Sequence, residues 1–309
     1  MAIKFIEETK TFKLDSKTST YIFRVFEGNY LVHYYYGAPI PDTDVDELRI
    51  RPGFASFCPD SPSARVFNFS PDVTPLEYST FGAGDFRLSA FAVKNSDGNK
   101  VTDLRYVSHK ITKGKKGIPG LPALYVNTED EADTLEVVTI DALTGAKVTL
   151  IYSVFNNYGA ITRSVKVENT SDKPFYIDTI HSLCVDMPGS DFEMLDLYGR
   201  WVKERSLARY PIHRGIQSIK SKRGSSSHNH NPFTALVSKG ANEEYGECYG
   251  FNLVYSSNFS IDVEVDGFNS TRLVMGINPE GFSWYLAPGE EFHSPESVMV
   301  YTNEGIGEM

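Results

Sequence analysis

The sequence predicts an all-β protein, an antiparallel β-supersandwich with few helices. Aromatic residues make up 13% of the 309 residues, with 20 Phe and 18 Tyr, and these side chains favour the pleated surface of a sheet. Apolar and polar residues alternate with a period of two, and turn residues interrupt the runs at short intervals. Helical periodicity is almost absent, and a supersandwich is the usual way for one all-β unit to reach this length.

The first predicted element is a hairpin in STYIFRVFEGNYLVHYYYG (19–37). Two runs rich in Tyr, Phe and Val flank Glu27-Gly28-Asn29. Gly and Asn tolerate the positive φ of tight turns, so this tripeptide is typical of a hairpin connection.

The second predicted element is a consecutive antiparallel meander of four or more strands over residues 134–185. Its runs are separated by LeuThrGly, AsnAsnTyrGly and AsnThrSerAspLysPro, at roughly the 8–12 residue spacing of sandwiches and barrels. No linker or composition shift divides the chain, so residues 1–309 are predicted to form one domain. Further strands are predicted over 248–256, 260–267, 270–277 and 297–303.

Charge and cysteine content exclude several classes of partner. The formal net charge is -10, from 40 acidic and 30 basic residues, so a nucleic acid would be repelled on average. No stretch approaches 18 apolar residues and the N-terminus has no apolar h-region, which predicts neither membrane insertion nor export. Cys58, Cys184 and Cys248 are widely spaced and odd in number, which favours reduced thiols and a cytoplasmic location.

Two candidate sites lie in the polar run RGSSSHNHNPF (223–233), which has neither helical nor strand-like patterning. His228 and His230 would share one face of a strand and so one metal ion, but no third ligand of matching spacing follows. Ser225–Ser227 lack the Gly-x-Ser-x-Gly elbow of a serine hydrolase. The sequence therefore predicts no metal site and no cofactor here.

Two clusters of carboxylates have the composition of a glycosidase pair, which needs two carboxyl groups roughly 5 to 9 Å apart across a sugar. Their surroundings, between Pro41 and Arg49 and after Pro188-Gly189-Ser190, are more typical of solvated loops. The acidic residues are Asp42, Asp44 and Asp46 in the first cluster, and Asp191, Glu193 and Asp196 in the second.

Trp201 lies in TyrGlyArgTrpValLysGluArg, between cations rather than in an apolar alternating run. A tryptophan of the core usually has apolar neighbours. A ring plane beside polar side chains suits a sugar, whose C–H face stacks on the ring while its hydroxyls reach the charged groups. Trp201 is therefore a candidate ligand contact, and a half-buried tryptophan on a sheet surface is the alternative.

The segment GRWVKERSLARYPIHRGIQSIKSKRGSSSHNHNPFTAL (199–236) resembles a signature of glycoside hydrolase family 36, the multidomain α-galactosidases of bacteria and fungi. Its Trp, Glu-Arg, Gly-x-Gln-x-Ile and Arg-Gly-x-Ser-Ser-His-x-x-Asn-Pro elements appear in the same order. FASFCPD (54–60), EYSTFGAGDFRLSAF (77–91) and YTNEGIGEM (301–309) also resemble the N-terminal part of that family. The resemblance covers essentially the whole chain.

The resemblance implies a layout of N-terminal β-supersandwich, central (β/α)₈ barrel and C-terminal β domain, with both catalytic aspartates on the barrel. The Lys-Trp-Asp nucleophile motif is missing, because Val202 follows Trp201 and Tyr285 follows Trp284. The Ser-Asp-x-x-Asp acid/base motif is missing too. The expectation is a non-catalytic N-terminal domain without barrel or C-terminal domain. The full-length enzyme would hydrolyse α-galactosides such as melibiose and raffinose with retention, and this fragment alone would be inactive.

The resemblance also implies which residues contact substrate. Trp201 would line the galactose-binding pocket. The 54–65 loop, with Phe54, Phe57, Asp60 and Arg65, would reach the site of a neighbouring subunit in a homotetramer. Gly53 and Cys58 depart from the Arg-Ala-Ser-Phe-like family pattern of this loop.

Two other classes of function stay open at this stage. A free-standing carbohydrate-binding module would bind a galactoside without any barrel. A mutarotase-like sugar epimerase would use a supersandwich with a His general acid and a Glu base, and would act on free galactose. Neither alternative accounts for the signature in residues 199–236.

Overall fold

The computed structural model describes residues 2–42, 45–48, 69–226 and 228–309. These residues form twenty strands and four short 3₁₀ turns, Glu27–Asn29, Asp46–Leu48, Glu129–Glu131 and Ile306–Glu308. None of the helical segments found in these ranges has the length and apolar character needed to cross a membrane. In chain order the strands are β1 (Ile3–Ile6), β2 (Thr11–Asp15), β3 (Thr20–Val25), β4 (Leu31–Gly37), β5 (Phe91–Asn95), β6 (Arg105–Lys113), β7 (Ala132–Ile140), β8 (Ala146–Phe155), β9 (Ala160–Asn169), β10 (Phe175–Met187), β11 (Phe192–Arg200), β12 (Lys203–Pro211), β13 (Gly215–Lys220), β14 (His230–Ser238), β15 (Cys248–Val254), β16 (Phe259–Val265), β17 (Thr271–Ile277), β18 (Trp284–Leu286), β19 (Glu291–His293) and β20 (Glu296–Thr302).

The strands form three sheets. A four-stranded sheet has the order β1-β2-β3-β4. A six-stranded sheet has the order β13-β16-β17-β10-β18, with β5 also paired to β10. A ten-stranded sheet has the order β12-β11-β14-β15-β20-β9-β8-β7-β6, with β19 paired to β9. The ladders between these strands are antiparallel, for example β8 with β9 and β10 with β17. The prediction of an all-β, antiparallel supersandwich is confirmed.

The predicted hairpin at 19–37 is confirmed as β3 and β4. The 3₁₀ turn Glu27–Asn29 connects the two strands. Gly28 has a φ of 70° and Asn29 a φ of 60°, so both residues adopt the left-handed conformation for which the sequence selects them.

The predicted meander is correct for three strands and wrong for the fourth. β7, β8 and β9 pair in order within the ten-stranded sheet. β10 instead joins the six-stranded sheet. Asn169 ends β9, and its side-chain amide donates to the carbonyls of Lys173 at 2.9 Å and Leu286 at 3.0 Å. These bonds hold the turn against β18, so the chain leaves one sheet and enters the other.

The main hydrophobic core is shared by all three sheets. Phe12 and Phe23 of the small sheet stack at 4.7 Å between ring centroids, and Phe23 stacks on Tyr152 of the large sheet at 5.2 Å. Ile177 and Met275 contribute from the six-stranded sheet and are fully buried. The hydrophobic effect therefore holds the three sheets together around this shared core.

A buried ionic network lies within the six-stranded sheet and the loop before β5. Arg272 on β17 is paired in register with Asp186 on β10. It donates from Nε to Oδ1 at 2.7 Å and from Nη2 to Oδ2 at 2.8 Å. Its Nη1 also contacts Asp85 Oδ2 at 2.8 Å, and Arg87 Nε contacts Asp85 Oδ1 at 2.9 Å. Burial opposes ionisation of Asp186, but the Arg272 guanidinium outweighs it and lowers the pKa of Asp186.

A second buried network joins the small sheet to the large one. Tyr21 and Tyr152 donate their hydroxyls to Glu77 Oε1 at 2.7 and 2.6 Å. Arg163 Nη2 lies 2.9 Å from the same oxygen. Arg163 also donates to the Tyr21 hydroxyl at 2.9 Å. The buried carboxylate is thus satisfied by donors from two sheets, as a buried charge requires.

Candidate functional site

Trp201 lies at the tip of the β11–β12 hairpin, at one edge of the ten-stranded sheet. Arg200 and Lys203 are paired, so Trp201 and Val202 form the two-residue connection. The Trp201 side chain is 80% exposed. The alternative prediction, that Trp201 is a half-buried tryptophan on a sheet surface, is therefore wrong in the part of the chain that the structure describes. An indole held in solvent at a hairpin tip is available to a ligand or to another protein surface.

The hairpin tip has a defined backbone conformation. Val202 has a φ of 65°, and its N–H donates to Glu204 Oε1 at 3.0 Å. The β11–β12 register shifts between Tyr198 and Arg200, which leaves Gly199 at a bulge. A Cβ at Gly199 would lie 2.3 Å from the Lys203 carbonyl oxygen. Only glycine fits there, so the position of Trp201 depends on this residue.

The base of the hairpin is anchored to the sheet by side chains. Tyr210 on β12 donates its hydroxyl to Asp196 Oδ2 at 2.8 Å. Burial and this carboxylate raise the Tyr210 pKa, so the phenol stays a donor. Thr234 on β14 donates to the Leu195 carbonyl at 2.9 Å. Trp201 therefore extends from a rigid base, as a preorganised contact requires.

The carboxylates of the second cluster belong to this scaffold. Glu193 accepts a hydrogen bond from Arg209 Nε at 2.9 Å. Asp191 accepts one from Lys239 Nζ at 2.7 Å, which lowers the Asp191 pKa. Together with Asp196 under Tyr210, all three have structural partners. They do not form a free carboxylate pair.

The first acidic cluster is also engaged where it is described. Asp42 accepts from Lys13 and Lys4, each at 2.7 Å, and the bond from Lys13 is the main cause that lowers its pKa to about 2. Asp46 forms an ion pair with Arg24. Asp44 lies outside the described residues.

The polar run 223–233 is partly a strand, contrary to the prediction. His230 begins β14, whereas exposed His228 lies in the preceding turn, so the two do not form the single strand face that metal sharing needs. Within the part of the chain that the structure describes, no cluster of His, Cys, Asp or Glu has the makings of a metal site. The run's backbone is held by hydrogen bonds from Gly224 N to Asn258 Oδ1 at 2.7 Å and from Ser226 N to the Ser256 carbonyl at 3.0 Å. Ser227 lies outside the described residues.

The other predicted substrate contacts lie outside the described residues. These are Phe54, Phe57, Asp60 and Arg65 of the 54–65 loop, and Cys58 lies there too. Cys184 and Cys248 are buried free thiols. Among the predicted contacts, the structure places Trp201 alone.

Sequence reasoning missed two exposed apolar side chains on the hairpin. Tyr198 on β11 and Leu207 on β12 are both more than two-fifths exposed, on opposite faces of the hairpin. From Arg205 to Pro211, the residues of β12 alternate between exposed and half-buried positions. This period of two could have revealed the strand in the sequence. Few of these residues are apolar, however, so the segment does not show the pattern of a strand with one buried face.

The fold and the site together define a β-supersandwich domain that carries an exposed aromatic hairpin. Residues 29–287 match the family described as "Glycosyl hydrolase family 36 N-terminal domain". The chain belongs to glycosyl hydrolase family 36 and carries that family's N-terminal domain. The resemblance seen in the sequence is thereby confirmed.

Relatives over the whole chain are α-galactosidases. "Alpha-galactosidase AgaA" of Geobacillus stearothermophilus is 42% identical over 309 residues, which cover 100% of this chain and 42% of the relative. "Alpha-galactosidase Mel36A" of Lactobacillus acidophilus is 38% identical over 309 residues, 99% of this chain and 42% of the relative. The chain thus spans about two-fifths of the length of these relatives.

Solved structures give the same result. The crystal structure of the family 36 α-galactosidase AgaB from Geobacillus stearothermophilus superimposes with a TM-score of 0.95 at 43% identity, covering 100% of this chain and 42% of that one. A variant of AgaA from the same organism in complex with raffinose superimposes with a TM-score of 0.93 at 43% identity, covering 97% of this chain and 42% of that one.

Proposed function

We propose that residues 1–309 form a single, non-catalytic N-terminal domain of an α-galactosidase. The complete enzyme hydrolyses terminal α-galactosides such as melibiose and raffinose with retention. The observation that carries this proposal is the match to the family's N-terminal domain over residues 29–287. The full-length similarity to α-galactosidases supports the substrate class, and a related enzyme was crystallised with raffinose.

We further propose that Trp201 forms a wall of the galactose subsite in the complete enzyme. An exposed indole on an anchored hairpin offers a flat apolar face to the C–H side of a pyranose, and the cations around it offer donors to hydroxyls. The 54–65 loop, with Phe54, Phe57, Asp60 and Arg65, closes the site of an adjacent subunit in a homotetramer. The protein acts in the cytoplasm, without a cofactor.

A chromogenic α-galactoside assay tests the non-catalytic role. Retaining hydrolysis needs two carboxylates placed across the glycosidic bond. The acidic residues beside the hairpin, Glu193 and Asp196, are held by Arg209 and Tyr210 instead. The purified 309-residue chain should give no turnover above a heat-killed control, whereas the complete protein expressed from its gene should be active. Turnover by the purified chain alone would overturn the proposal.

Replacing Trp201 by Ala in the complete protein tests the role of the indole. Stacking of a ring on an aromatic side chain contributes on the order of 1 to 3 kcal/mol, as for nucleobases. We expect KM to rise, or kcat/KM to fall, by roughly tenfold or more. The assembly state should not change. A variant with the original KM and a disrupted assembly would make Trp201 a packing residue between subunits or domains.

A further inference from the structure

A second exposed tryptophan lines a cleft that the proposed function does not use. The cleft has a volume of about 530 Å³. Trp284 of β18 and Phe292 of β19 form one side, and the segments 119–121, 255–258 and 277–282 contribute the rest. Its volume lies in the range of small-molecule sites.

The aromatic side of the cleft is preorganised. Trp284 packs on Phe292 at 5.1 Å between ring centroids, with the planes tilted by 52°. Phe282 packs on Phe292 from another direction at 5.9 Å. Trp284 is paired in register with Ile177 of β10, yet its side chain stays 49% exposed. The indole is thus fixed by its neighbours while much of its surface faces solvent.

The two carboxylates that line the cleft form ion pairs with basic side chains. Glu291 Oε1 lies 3.1 Å from His293 Nε2, and its Oε2 lies 3.5 Å from Lys166 Nζ. Glu280, which also lines the cleft, forms ion pairs with Lys220 and Lys222. Each of these two carboxylates therefore has basic partners, while the Glu291 carboxylate and the His293 imidazole remain hydrogen-bonding groups for a ligand.

We propose that this cleft binds a neutral saccharide, with one pyranose ring stacked on Trp284 and its hydroxyls bonded to Glu291 and His293. The apolar C–H face of a sugar matches the indole, and its hydroxyls match a carboxylate acceptor beside an imidazole. A purely apolar ligand would leave Glu291 and His293 desolvated without new partners. A sugar satisfies both parts of the cleft.

A neighbouring cleft extends the site. Pro119 and His293 line both cavities, and the second has a volume of about 390 Å³. Strands β8 and β9 contribute hydroxyl side chains to it, including Thr149, Thr162 and Ser164. Further sugar units bound there have hydroxyl partners, so we infer that oligosaccharides bind more tightly than galactose.

The two tryptophans of the chain, Trp201 and Trp284, provide an internal control. The 309-residue chain labelled with 5-fluorotryptophan gives two ¹⁹F resonances, which the Trp201→Phe and Trp284→Phe variants assign. Titration with raffinose should shift the Trp284 resonance and leave the Trp201 resonance in place. In calorimetry, Trp284→Ala should raise the Kd for raffinose at least about tenfold, equal to about 1.4 kcal/mol. Tyr245→Ala, which replaces an exposed aromatic side chain outside both clefts, should leave the Kd within about twofold.

Glu291→Gln is a second variant that should fold normally, because Glu291 is half exposed and the amide keeps the size of the side chain. It should weaken raffinose binding severalfold with an unchanged thermal midpoint. The proposal is overturned if neither resonance moves in the folded chain, if only Trp201 responds, or if Trp284 responds to protein concentration rather than to sugar. The last result would identify a contact between copies of the chain. None of these outcomes bears on the α-galactosidase assay of the complete protein, so the two proposals fail separately.

Discussion

The ionic network around Arg272 and the hairpin tip at Trp201 place large side chains in opposite environments. Arg272 is 1% exposed and donates to two buried carboxylates, whereas Trp201 is 80% exposed. A guanidinium is ordinarily found at the surface and an indole inside. A buried guanidinium and an exposed indole therefore have different physical consequences in the two regions.

In the network, the buried charges are satisfied by each other, so removing one leaves the rest without compensation. At the tip, the indole has little buried surface to lose. The comparison indicates that the scaffold and the ligand-facing surface are energetically separate. Substitutions in the network should act on stability, and substitutions at the tip should act on binding.

Arg272→Met should have the largest effect. It leaves Asp186 without its bidentate partner and Asp85 with Arg87 alone. Breaking a buried ion pair from one side costs about 3–5 kcal/mol, and urea unfolding of the 309-residue chain should show a loss of that size. Lys239→Gln removes the exposed pair with Asp191 and should not move the urea midpoint measurably. A loss for Arg272→Met below about 1 kcal/mol would mean that water or rearrangement compensates the carboxylates.

The pH dependence of stability should be the next largest effect, through His181. Burial lowers the pKa of His181 to about 4, although Asp262 acts in the opposite direction. In the unfolded chain its pKa is about 6.5. Between these values the unfolded state binds more protons, so the free energy of unfolding falls as the pH drops from about 6.5 to about 4, by about 3 kcal/mol in total.

Urea unfolding at several pH values between 7 and 4 checks this slope. His181→Gln cannot titrate, so its contribution to the slope should disappear. His228 lies in an exposed turn, and His228→Gln should keep the original slope. An unchanged slope in His181→Gln would assign the proton uptake to another group.

Gly199→Ala should have an intermediate effect, confined to the hairpin. Its Cβ would lie 2.3 Å from the Lys203 carbonyl oxygen and 2.8 Å from the Glu204 Cα, so backbone must move. Overpacking of this kind costs about 1–3 kcal/mol, which calorimetric unfolding measures. Gly267→Ala is the matched control, because nothing lies within 4 Å of its Cβ position. Equal midpoints for the two variants would show that the bulge is not specified by Gly199.

Local patterns in the sequence predicted the elements with one apolar face. The hairpin of β3 and β4 and the strands β7 to β9 follow from alternation and turn residues. The move of the chain from the ten-stranded sheet to the six-stranded sheet at β10 could not be predicted in this way. It depends on hydrogen bonds from the Asn169 amide to carbonyls as far away in the sequence as Leu286. A strand signal gives no information on which sheet the strand joins.

The candidate site was likewise predictable from the sequence only in part. The charged sequence neighbours of Trp201 made it a candidate ligand contact rather than a core residue, and its 80% exposure agrees with a position outside the core. The cleft at Trp284 was not predicted, because Phe282, Phe292 and His293 meet it only through the pairing of β18 with β10 and of β19 with β9. The roles predicted for Phe54, Phe57, Asp60 and Arg65 stay predictions. The partners of the acidic clusters likewise come from residues distant in sequence, such as Lys4 for Asp42.

Trp201→Ala should have the smallest effect on stability. With four-fifths of the side chain already in water, its removal exposes little and leaves no cavity, so the free energy of unfolding should stay within about 0.5 kcal/mol of the original. Phe251→Ala is the buried counterpart, since Phe251 is 1% exposed in the core, and it should cost about 3–5 kcal/mol. Urea unfolding of both variants measures the contrast. A loss above about 1 kcal/mol for Trp201→Ala would show that the indole packs against the domain, and any kinetic defect of this variant would then have a structural cause.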